Sequence, residues 1–304
     1  MGKVDPAEVE PHTQGDSVWV TTSDGRALHT MVLAGPDDTN APTVVFESGA
    51  AASRSLWALV QPLVGQWSRA IVYDRSGFGR SAPDPGSRTL GRMADDLGEL
   101  LDHFGDGPYV LVGHSAGGPI VRTAAAAAPG RITGLVLVDP TDEGWDTLFT
   151  PAFRRTERRS VTVTLAVARM KLLHMFFRSI TAQLPQDARR DMQREGFTTR
   201  AMRTFAAQQR TYLDELSEYR GTPPDLGTLP VTVISAGLGG GGIDEGSRTA
   251  INEAHARSAA RSPRGCHVVA TESNHYVILS EPHLVADEIR CLLGDTGHGS
   301  DFSG

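Results

Sequence analysis

Ser115 is the residue whose setting most clearly permits chemistry, because it stands between glycines in the stretch Gly113-His114-Ser115-Ala116-Gly117. The apolar run 110–112 before it predicts a buried strand, and the residues from Ile120 to Ala128 after it predict a helix. A serine on such a sharp strand-to-helix turn projects its hydroxyl from the end of the strand, near the positive end of the following helix. Ser115 is therefore a candidate nucleophile; a glycine-rich loop without chemistry is the alternative.

A serine nucleophile needs a general base, and one of the ten histidines has a suitable position. His275 follows the predicted strand 265–270 and precedes the predicted helix 281–293, so it lies on the same edge of the sheet as Ser115. There its imidazole could take the serine proton during attack and return it to the leaving group. His114 directly precedes the nucleophile, and we expect its side chain to point the other way and to pack.

Two aspartates compete for the role of the carboxylate that fixes this imidazole. Asp139 directly ends an apolar strand that neighbours the strand of Ser115. Asp244 follows the next strand only after the glycine-rich run 237–242. Fixed geometry is better supplied by a strand end than by flexible glycines, so the sequence favours Asp139 and keeps Asp244 as the alternative acid. Two further carboxylates are weaker candidates: Glu143 and Glu245.

Two backbone amides could stabilise the oxyanion that forms during acyl transfer. Ala116 directly follows the serine, and Ala50 follows Ser48-Gly49 at the end of the predicted strand 43–47. Both side chains are small, which leaves the amides accessible. One such donor is typically worth about 2.7 to 4 kcal/mol of transition-state stabilisation. We therefore predict an oxyanion hole formed by Ala50 and Ala116.

The elements that must position these residues alternate along the chain. Two short alternating runs, 17–22 and 26–33, are joined by Ser23-Asp24-Gly25 and predict a hairpin at a sheet edge. Non-alternating apolar strands separated by amphipathic helices follow, a pattern that predicts parallel β-α-β units in an α/β fold. These strands are predicted at 43–47, 69–74, 110–112, 132–138, 230–235 and 265–270, and helices at 56–66, 90–104, 120–128 and 281–293.

The alternation stops between Asp139 and Pro230, where the sequence contains helical patterns, many methionines and phenylalanines, and no clear strand. An insertion after the carboxyl end of a strand lies over the place where α/β sheets bind ligands. We therefore predict a helical cap. The predicted organisation is a flexible N-terminal tail (1–16), a core (17–140 and 229–294), a helical cap (141–228) and a flexible C-terminal tail (295–304).

The overall composition argues against several partners. The 304 residues carry a formal charge of −7 with basic residues spread along the chain, so we expect neither nucleic acid nor a membrane as partner. Cys266 and Cys291 have no zinc spacing and are too few for a disulfide framework, which predicts a cytoplasmic protein without a metal. The longest apolar stretch, 161–177, is interrupted by Arg169 and Lys171 and is too short to span a bilayer. The sequence leaves open whether the chain forms a homo-oligomer.

Five motifs together resemble the α/β-hydrolase fold family from about Ser17 to Leu293. They are Glu47-Ser48-Gly49-Ala50 in place of the common His-Gly oxyanion turn, Tyr73–Ser81, Gly113–Gly118, Val138-Asp139-Pro140 and Asn274-His275. The resemblance implies an eight-stranded, mostly parallel sheet, a Ser-His-Asp triad, no cofactor and a cap after the sixth strand. Most members carry the acid after the seventh strand. Some, including certain fungal lactonases and related dehalogenases, carry it after the sixth, where Asp139 falls.

The leading functional hypothesis is a serine hydrolase that cleaves a fairly hydrophobic small-molecule ester or lactone. An amide, peptide or C–C bond hydrolase of the same fold is the first alternative. A ligand-binding receptor that keeps the triad but turns over slowly is the second. Haloalkane dehalogenases and epoxide hydrolases are disfavoured because they need an aspartate at the position of Ser115.

Overall fold

One sheet of eight strands organises the part of the chain that the computed structural model describes, residues 11–37, 40–240 and 243–297. In chain order the strands are β1 (Asp16–Thr21), β2 (Ala27–Leu33), β3 (Thr43–Glu47), β4 (Ala70–Tyr73), β5 (Tyr109–His114), β6 (Ile132–Val138), β7 (Val231–Ala236) and β8 (Gly265–Ala270). Their order in the sheet is β1-β2-β4-β3-β5-β6-β7-β8. The hairpin β1–β2 and the pair β2–β4 are antiparallel, and all other pairs are parallel. The predicted fold class is confirmed.

Helices cover both faces of the sheet and fill the long connection between β6 and β7. Within the described residues they are α1 (Gln61–Val64), α2 (Leu90–Phe104), α3 (Gly117–Ala127), α4 (Pro151–Arg169), α5 (Leu173–Phe176), α6 (Arg178–Thr181), α7 (Gln186–Asp191), α8 (Thr199–Gln208), α9 (Tyr212–Glu218), α10 (Glu245–Ala259), α11 (Val277–Ser280) and α12 (Pro282–Gly297). None of these helices combines the length and the apolar character that crossing a membrane requires.

The central strands are buried on both faces, which explains their continuous apolar runs. Leu111 of β5 packs with the apolar sides of α2 and α3, whereas its neighbours Val110 and Val112 pack with α1 and α12 on the other face. Because successive side chains of a strand point to opposite faces, one apolar run supplies both halves of the core. This two-sided core holds the carboxyl ends of β5 and β6 in place.

The predicted helix 56–66 is wrong as a single element. The chain instead forms a 3₁₀ turn, Arg54–Trp57, followed by the four-residue helix α1. Pro62 is the second residue of α1. It has no N–H to donate to the carbonyl four residues earlier, so a continuous helix cannot pass through this point.

The predicted tails lie mostly outside the described residues, which exclude 1–10 and 298–304 as well as Asp38, Thr39, Gly241 and Gly242. Of the predicted N-terminal tail the structure describes residues 11–16, and β1 begins at the last of these, Asp16. At the other end α12 runs to Gly297, into the segment predicted as a tail, since no proline after Pro282 interrupts it.

Between β6 and β7 every regular element is helical. Residues 141–228, called the helical insertion below, comprise α4 to α9, a 3₁₀ turn at Asp146–Phe149 and a π-helical segment at Met192–Gly196. The insertion contacts Phe78, which lies in the connection after the carboxyl end of β4 and is fully buried against Ala168, Leu173 and Met202. It therefore lies over the carboxyl end of the sheet.

Candidate active site

Ser115 lies where β5 turns into α3, with its backbone in the left-handed region at φ 53°. The turn is tight: a Cβ on Gly113 would stand 2.8 Å from the Gly117 carbonyl oxygen, and one on Gly117 would stand 2.7 Å from that of Glu47. The Ser115 amide donates to the carbonyl of Val138 at 3.0 Å, which ties the turn to β6. A non-glycine residue in this conformation costs about 1–3 kcal/mol, so the surrounding structure must enforce it.

His275 joins Ser115 to Asp139. Its Nε2 lies 3.0 Å from Ser115 Oγ, and its Nδ1 lies 2.6 Å from Asp139 Oδ2. When Nδ1 carries the proton and donates it to the carboxylate, Nε2 is free to accept the hydroxyl proton of the serine. The three side chains come from the end of β5, the end of β6 and the loop after β8. The structure thus brings together the three residues predicted at this sheet edge.

The Asp139 carboxylate is almost completely buried, with 3% of the residue exposed, yet every side of it has a partner. Arg248 donates from Nη1 to Oδ1 at 2.6 Å and from Nη2 to Oδ2 at 3.0 Å, and the Ala236 amide donates to Oδ1 at 3.0 Å. Burial raises the pKa of Asp139, but the hydrogen bond and charge of His275, the charge of His255 and the Arg248 bonds outweigh it. The pKa stays well below its usual range, so the carboxylate is ionised.

The alternative acids have other partners. Asp244 is exposed and caps α10, where its Oδ1 accepts the Ser247 amide at 2.8 Å. Hydrogen bonds from Ser247 lower the pKa of this carboxyl. Glu143 forms a buried ion pair with Arg122 at 2.7 Å, and Glu245 accepts an amide of the glycine-rich loop at 3.0 Å. Among the described contacts none of the three carboxylates reaches His275.

The two predicted oxyanion donors flank the nucleophile. Within the described residues neither the Ala50 nor the Ala116 amide donates to a protein acceptor, so both are available. Each amide shares its peptide plane with a carbonyl that has a partner: Gly49 O accepts from Arg75 Nη2 at 2.6 Å, and Ser115 O accepts the amides of Gly118 and Thr141, both at 3.0 Å. These bonds fix the orientation of the adjacent peptide planes.

His114 does not point away from the site as the sequence led us to expect. Its ring centroid lies 4.9 Å from that of His275, and its Nε2 lies 3.0 Å from the His275 carbonyl oxygen. Complete burial, assisted by the charge of His275, lowers the pKa of His114 to about 3, so the ring is neutral and donates Nε2–H to that carbonyl. Its role is to support the backbone of His275.

Two apolar cavities meet at Ser115. One, of about 230 Å³, lies under the helical insertion, and its apolar walls are formed by Leu56, Phe177, Ile180, Met192, Phe197 and Met202. The other, of about 270 Å³, lies beside the end of β6, and its apolar walls include Trp145, Leu148, Phe153 and Ile251. A larger cavity of about 1030 Å³ opens at the amino-terminal edge of the sheet, near Pro129 and Pro230, away from the serine.

Sequence reasoning missed the polar face of α10. Arg248 is bonded to Asp139, Asn252 donates to the Ala236 carbonyl at 2.9 Å, and His255 Nε2 lies 2.8 Å from the Pro140 carbonyl oxygen. The available signal was their spacing, since positions i, i+4 and i+7 share one face of a helix. Three polar residues on the buried face of a helix indicate polar groups beneath it.

In the described part of the chain no group of three or more histidine, cysteine or acidic side chains is arranged to hold a metal ion. The two cysteines, Cys266 and Cys291, are exposed free thiols. The expectation that no cofactor or metal takes part therefore stays an expectation.

Comparison with known protein families gives a match that covers most of the chain. The sequence model described as the alpha/beta hydrolase family matches residues 44–288. Among solved structures, a thermophilic esterase from Thermogutta terrifontis has a TM-score of 0.68 at 20% identity, covering 93% of this chain and 100% of that one. At this identity the similarity concerns the fold.

Curated relatives match over shorter segments. The candidate carbamate hydrolase RutD of Caulobacter vibrioides is 35% identical over 128 residues, which is 41% of this chain and 45% of that protein. Lipase LipV of Mycobacterium tuberculosis is 46% identical over 67 residues, which is 22% of this chain and 25% of that protein. The matched segments thus span less than half the length of either relative.

Proposed function

The chain belongs to the α/β hydrolase family, and we propose that it acts as a serine hydrolase on carboxylic esters or lactones. One observation carries the proposal: His275 contacts Ser115 Oγ at 3.0 Å through one ring nitrogen and Asp139 at 2.6 Å through the other. This is the geometry in which an imidazole can move a proton between a nucleophile and a leaving group.

In the proposed first half-reaction, Ser115 Oγ attacks the carbonyl carbon while His275 Nε2 takes the hydroxyl proton. The ionised Asp139 stabilises the imidazolium that results. The amides of Ala50 and Ala116 hold the negative oxygen of the tetrahedral intermediate. When the intermediate collapses, the C–O bond to the alcohol breaks and the imidazolium gives its proton to the departing oxygen.

The second half-reaction uses the same groups on the acyl-enzyme. Water enters the place that the alcohol has left, and His275 takes one of its protons as its oxygen attacks the acyl carbon. Collapse of the second intermediate breaks the bond to Ser115 Oγ, which recovers the proton. The carboxylic acid is released; for a lactone, acid and alcohol leave as one hydroxy acid.

The proposed substrate is apolar and of modest size. Both cavities at Ser115 have mainly apolar walls and volumes of about 230 and 270 Å³, which suits an acyl chain on one side and an alcohol on the other. We propose that the helical insertion acts as the cap that closes the first cavity. The esterase and lipase names of similar proteins agree with this chemistry.

Among the described residues that line the two cavities, no carboxylate is free to bind a substrate amine, which disfavours an aminopeptidase. Besides Asp139, the cavity walls contain one carboxylate, Asp142, whose oxygens accept the Ser258 hydroxyl at 2.6 Å and the Gly144 amide at 2.7 Å. A carboxylate bonded in this way is less available to a substrate cation. Carbamates react by the same acyl transfer and belong in any substrate panel.

The test is a panel of 4-nitrophenyl esters of increasing acyl length, with lactones, anilides and carbamates, together with labelling by a fluorophosphonate probe. We expect fastest turnover of short to medium acyl esters and stoichiometric labelling. Ser115→Ala should abolish labelling and lower kcat/KM by at least about 10³-fold. His275→Ala should do the same, and His283→Ala, at an exposed site, is its matched control.

Three outcomes would contradict the proposal. Retained turnover in Ser115→Ala would exclude this serine as the nucleophile. Tight ligand binding with negligible turnover of every substrate by the wild type would instead favour the slow receptor, and preferred cleavage of anilides would favour the amidase.

A further inference from the structure

Arg248 places a permanent positive charge behind the proposed triad acid. Its guanidinium donates to both oxygens of Asp139, at 2.6 and 3.0 Å, and is itself 2% exposed. Asp139 Oδ2 therefore accepts from Arg248 on one side and from His275, at 2.6 Å, on the other. We propose that Arg248 is a positioning residue that sets the pH range of the Ser115 site, an inference that rests on the proposed serine-hydrolase function.

The resting state of the site explains why such a charge is needed. When His275 is neutral, an ionised Asp139 is the only charge of the three proposed catalytic residues, and burying an isolated carboxylate is costly. Arg248 makes the resting cluster neutral overall. Its planar fork matches the two carboxylate oxygens, so it also fixes the rotation of the Asp139 side chain.

The positive charge of Arg248 also affects the proposed general base, His275. Arg248 Nη2 and His275 Nδ1 bond the same oxygen, Asp139 Oδ2, at 3.0 and 2.6 Å, so the two nitrogens are separated by no more than about the sum of two hydrogen bonds. A cation at that distance disfavours the imidazolium. Removing it should therefore move the loss of activity in acid to higher pH, by about 1 to 2 pH units.

Other charged or titratable groups surround the pair and must be kept constant. His114 on β5 contacts His275 from one side. From α10, His255 Nδ1 lies 4.0 Å from Asp139 Oδ1, and Asp142, in the loop after β6, acts electrostatically on that histidine. Among the groups described around Asp139, Arg248 alone is a fixed cation bonded to the carboxylate.

The test compares three variants by the pH dependence of fluorophosphonate labelling and of ester kcat/KM, from about pH 4 to 9. Arg248→Lys keeps the charge without the fork, Arg248→Gln keeps a donor without the charge, and Arg248→Met keeps neither. We expect the midpoint of the acid limb to rise in the Gln and Met variants and to stay near the wild-type value in the Lys variant. Arg257→Met, at an exposed position of the same helix, is the matched control.

A uniform loss of rate at every pH with an unchanged midpoint in the Gln or Met variant would overturn the proposal, because it would make Arg248 purely structural. A midpoint that rises in the Lys variant as much as in the Gln variant would overturn it too. If the Arg248→Met variant does not fold, comparison of the Lys and Gln variants still tests the proposal. Absence of labelling in the wild type would instead contradict the proposed function itself.

A second observation, independent of the triad, concerns the surface of the helical insertion. Between Glu157 and Asp187 the sequence has no acidic residue. Residues 169–178, called the insertion tip below, expose four apolar side chains: Met170 at 60%, Leu172 at 39%, Met175 at 62% and Phe176 at 71%. The tip also exposes three cations, Arg169, Lys171 and Arg178.

These cations have no carboxylate partner within salt-bridge distance in the part of the chain described. Large apolar side chains interleaved with unpaired cations are typical of surfaces that insert into the headgroup region of anionic membranes. We propose that the insertion tip docks on an anionic lipid surface. The charge of −7 for the whole chain, on which the expectation of no membrane partner was based, conceals this local excess of positive charge.

Charge also argues against a second copy as the occupant. In a twofold dimer the same patch faces itself, so the unpaired cations of one tip would face those of the other without an intervening acid. The location of the insertion tip also supports a lipid surface as its partner. Phe177 and Ile180, within and just after the tip, line the cavity above Ser115. An apolar ester held in a bilayer would thus reach the cavity by a short path.

The test is co-sedimentation of the full chain with vesicles of phosphatidylcholine containing about one third phosphatidylglycerol, and with phosphatidylcholine alone. We expect binding to the anionic vesicles only, weakened at about 0.5 M salt. The double variant Met175→Ser, Phe176→Ser should lower the partition coefficient at least tenfold, whereas Trp19→Ser, an exposed aromatic on β1, should not.

Equal sedimentation of the double variant and the wild type, or no binding at all, would overturn this proposal. A dimer in analytical ultracentrifugation that dissociates in the double variant, without vesicle binding by the wild type, would assign the tip to a second copy and overturn it as well.

Discussion

The ends of β6 and β7 lie side by side at the same sheet edge, yet they carry very different chemistry. β6 ends directly in Asp139, which is buried and bonded to Arg248, Ala236 and His275. β7 ends in Ala236 and continues into glycines, and its first acid, Asp244, is exposed and caps α10. Two aspartates on adjacent connections thus meet opposite environments.

The difference teaches what a buried acid requires. A carboxylate in the interior stays ionised only where donors and cations compensate the loss of water, and Asp139 has three such partners. The β7 end supplies two of them, the Ala236 amide and, through α10, Arg248. The two regions therefore complement each other: one carries the proposed acid, and the other carries its support.

The largest effect on stability is expected from Asp139→Ala. The change leaves the Arg248 guanidinium buried without its carboxylate, and breaking a buried pair in this way costs about 3–5 kcal/mol. Urea unfolding at neutral pH would measure the loss. Asp225→Ala, at an exposed position, is the control. A loss below about 1 kcal/mol would show that the pair contributes little.

A second prediction distinguishes Asp139 from Asp244 by the pH dependence of stability. The pKa of Asp139 is lower in the folded chain than in the unfolded chain, so its contribution to stability is complete above the unfolded value of about 3.9 and is lost as pH falls through the folded value. Asp139→Asn should therefore flatten the fall of the urea midpoint below about pH 4, where the unfolded carboxylate takes up a proton and the folded one does not. Asp244→Asn should flatten it less, because its partners are solvent-exposed. Equal slopes in the two variants would contradict this.

The smallest effect is expected from Asp244→Ala. The variant removes the side chain that accepts the Ser247 amide at the start of α10. Thermal unfolding should shift down by a few degrees while ester turnover stays within about threefold of the wild type. Asp244→Ser, which can still cap the helix, should restore most of the loss. A large loss of turnover without a change in stability would point to a direct catalytic role.

Much of the fold could be predicted because its signals are local. The strands at 132–138 and 265–270 and the helix at 90–104 lie where apolar periodicity placed them. The helix predicted over 56–66 failed at Pro62, where a missing N–H outweighed the apolar spacing. The apolar spacing of the side chains carries no information about the backbone N–H that Pro62 lacks.

The candidate site was less accessible to sequence reasoning, because it depends on contacts between distant segments. Strand ends suggested that Ser115 and His275 share an edge, but the side-by-side packing of His114 and His275 depends on how the loop after β8 folds back. Arg248 lies 109 positions from Asp139 in the chain, and nothing local to either residue links them. Only docking of α10 on the sheet brings the guanidinium to the carboxylate.

The most direct test of this account measures ester kcat/KM for Asp139→Asn and Asp244→Asn side by side, with both variants shown to be folded. An amide at position 139 cannot stabilise the imidazolium of His275, so we predict a loss of about 10³- to 10⁴-fold. Asp244→Asn should stay within about threefold of the wild type, since Asn also caps helices. A near-wild-type Asp139→Asn beside an Asp244→Asn that loses activity by orders of magnitude would contradict the account.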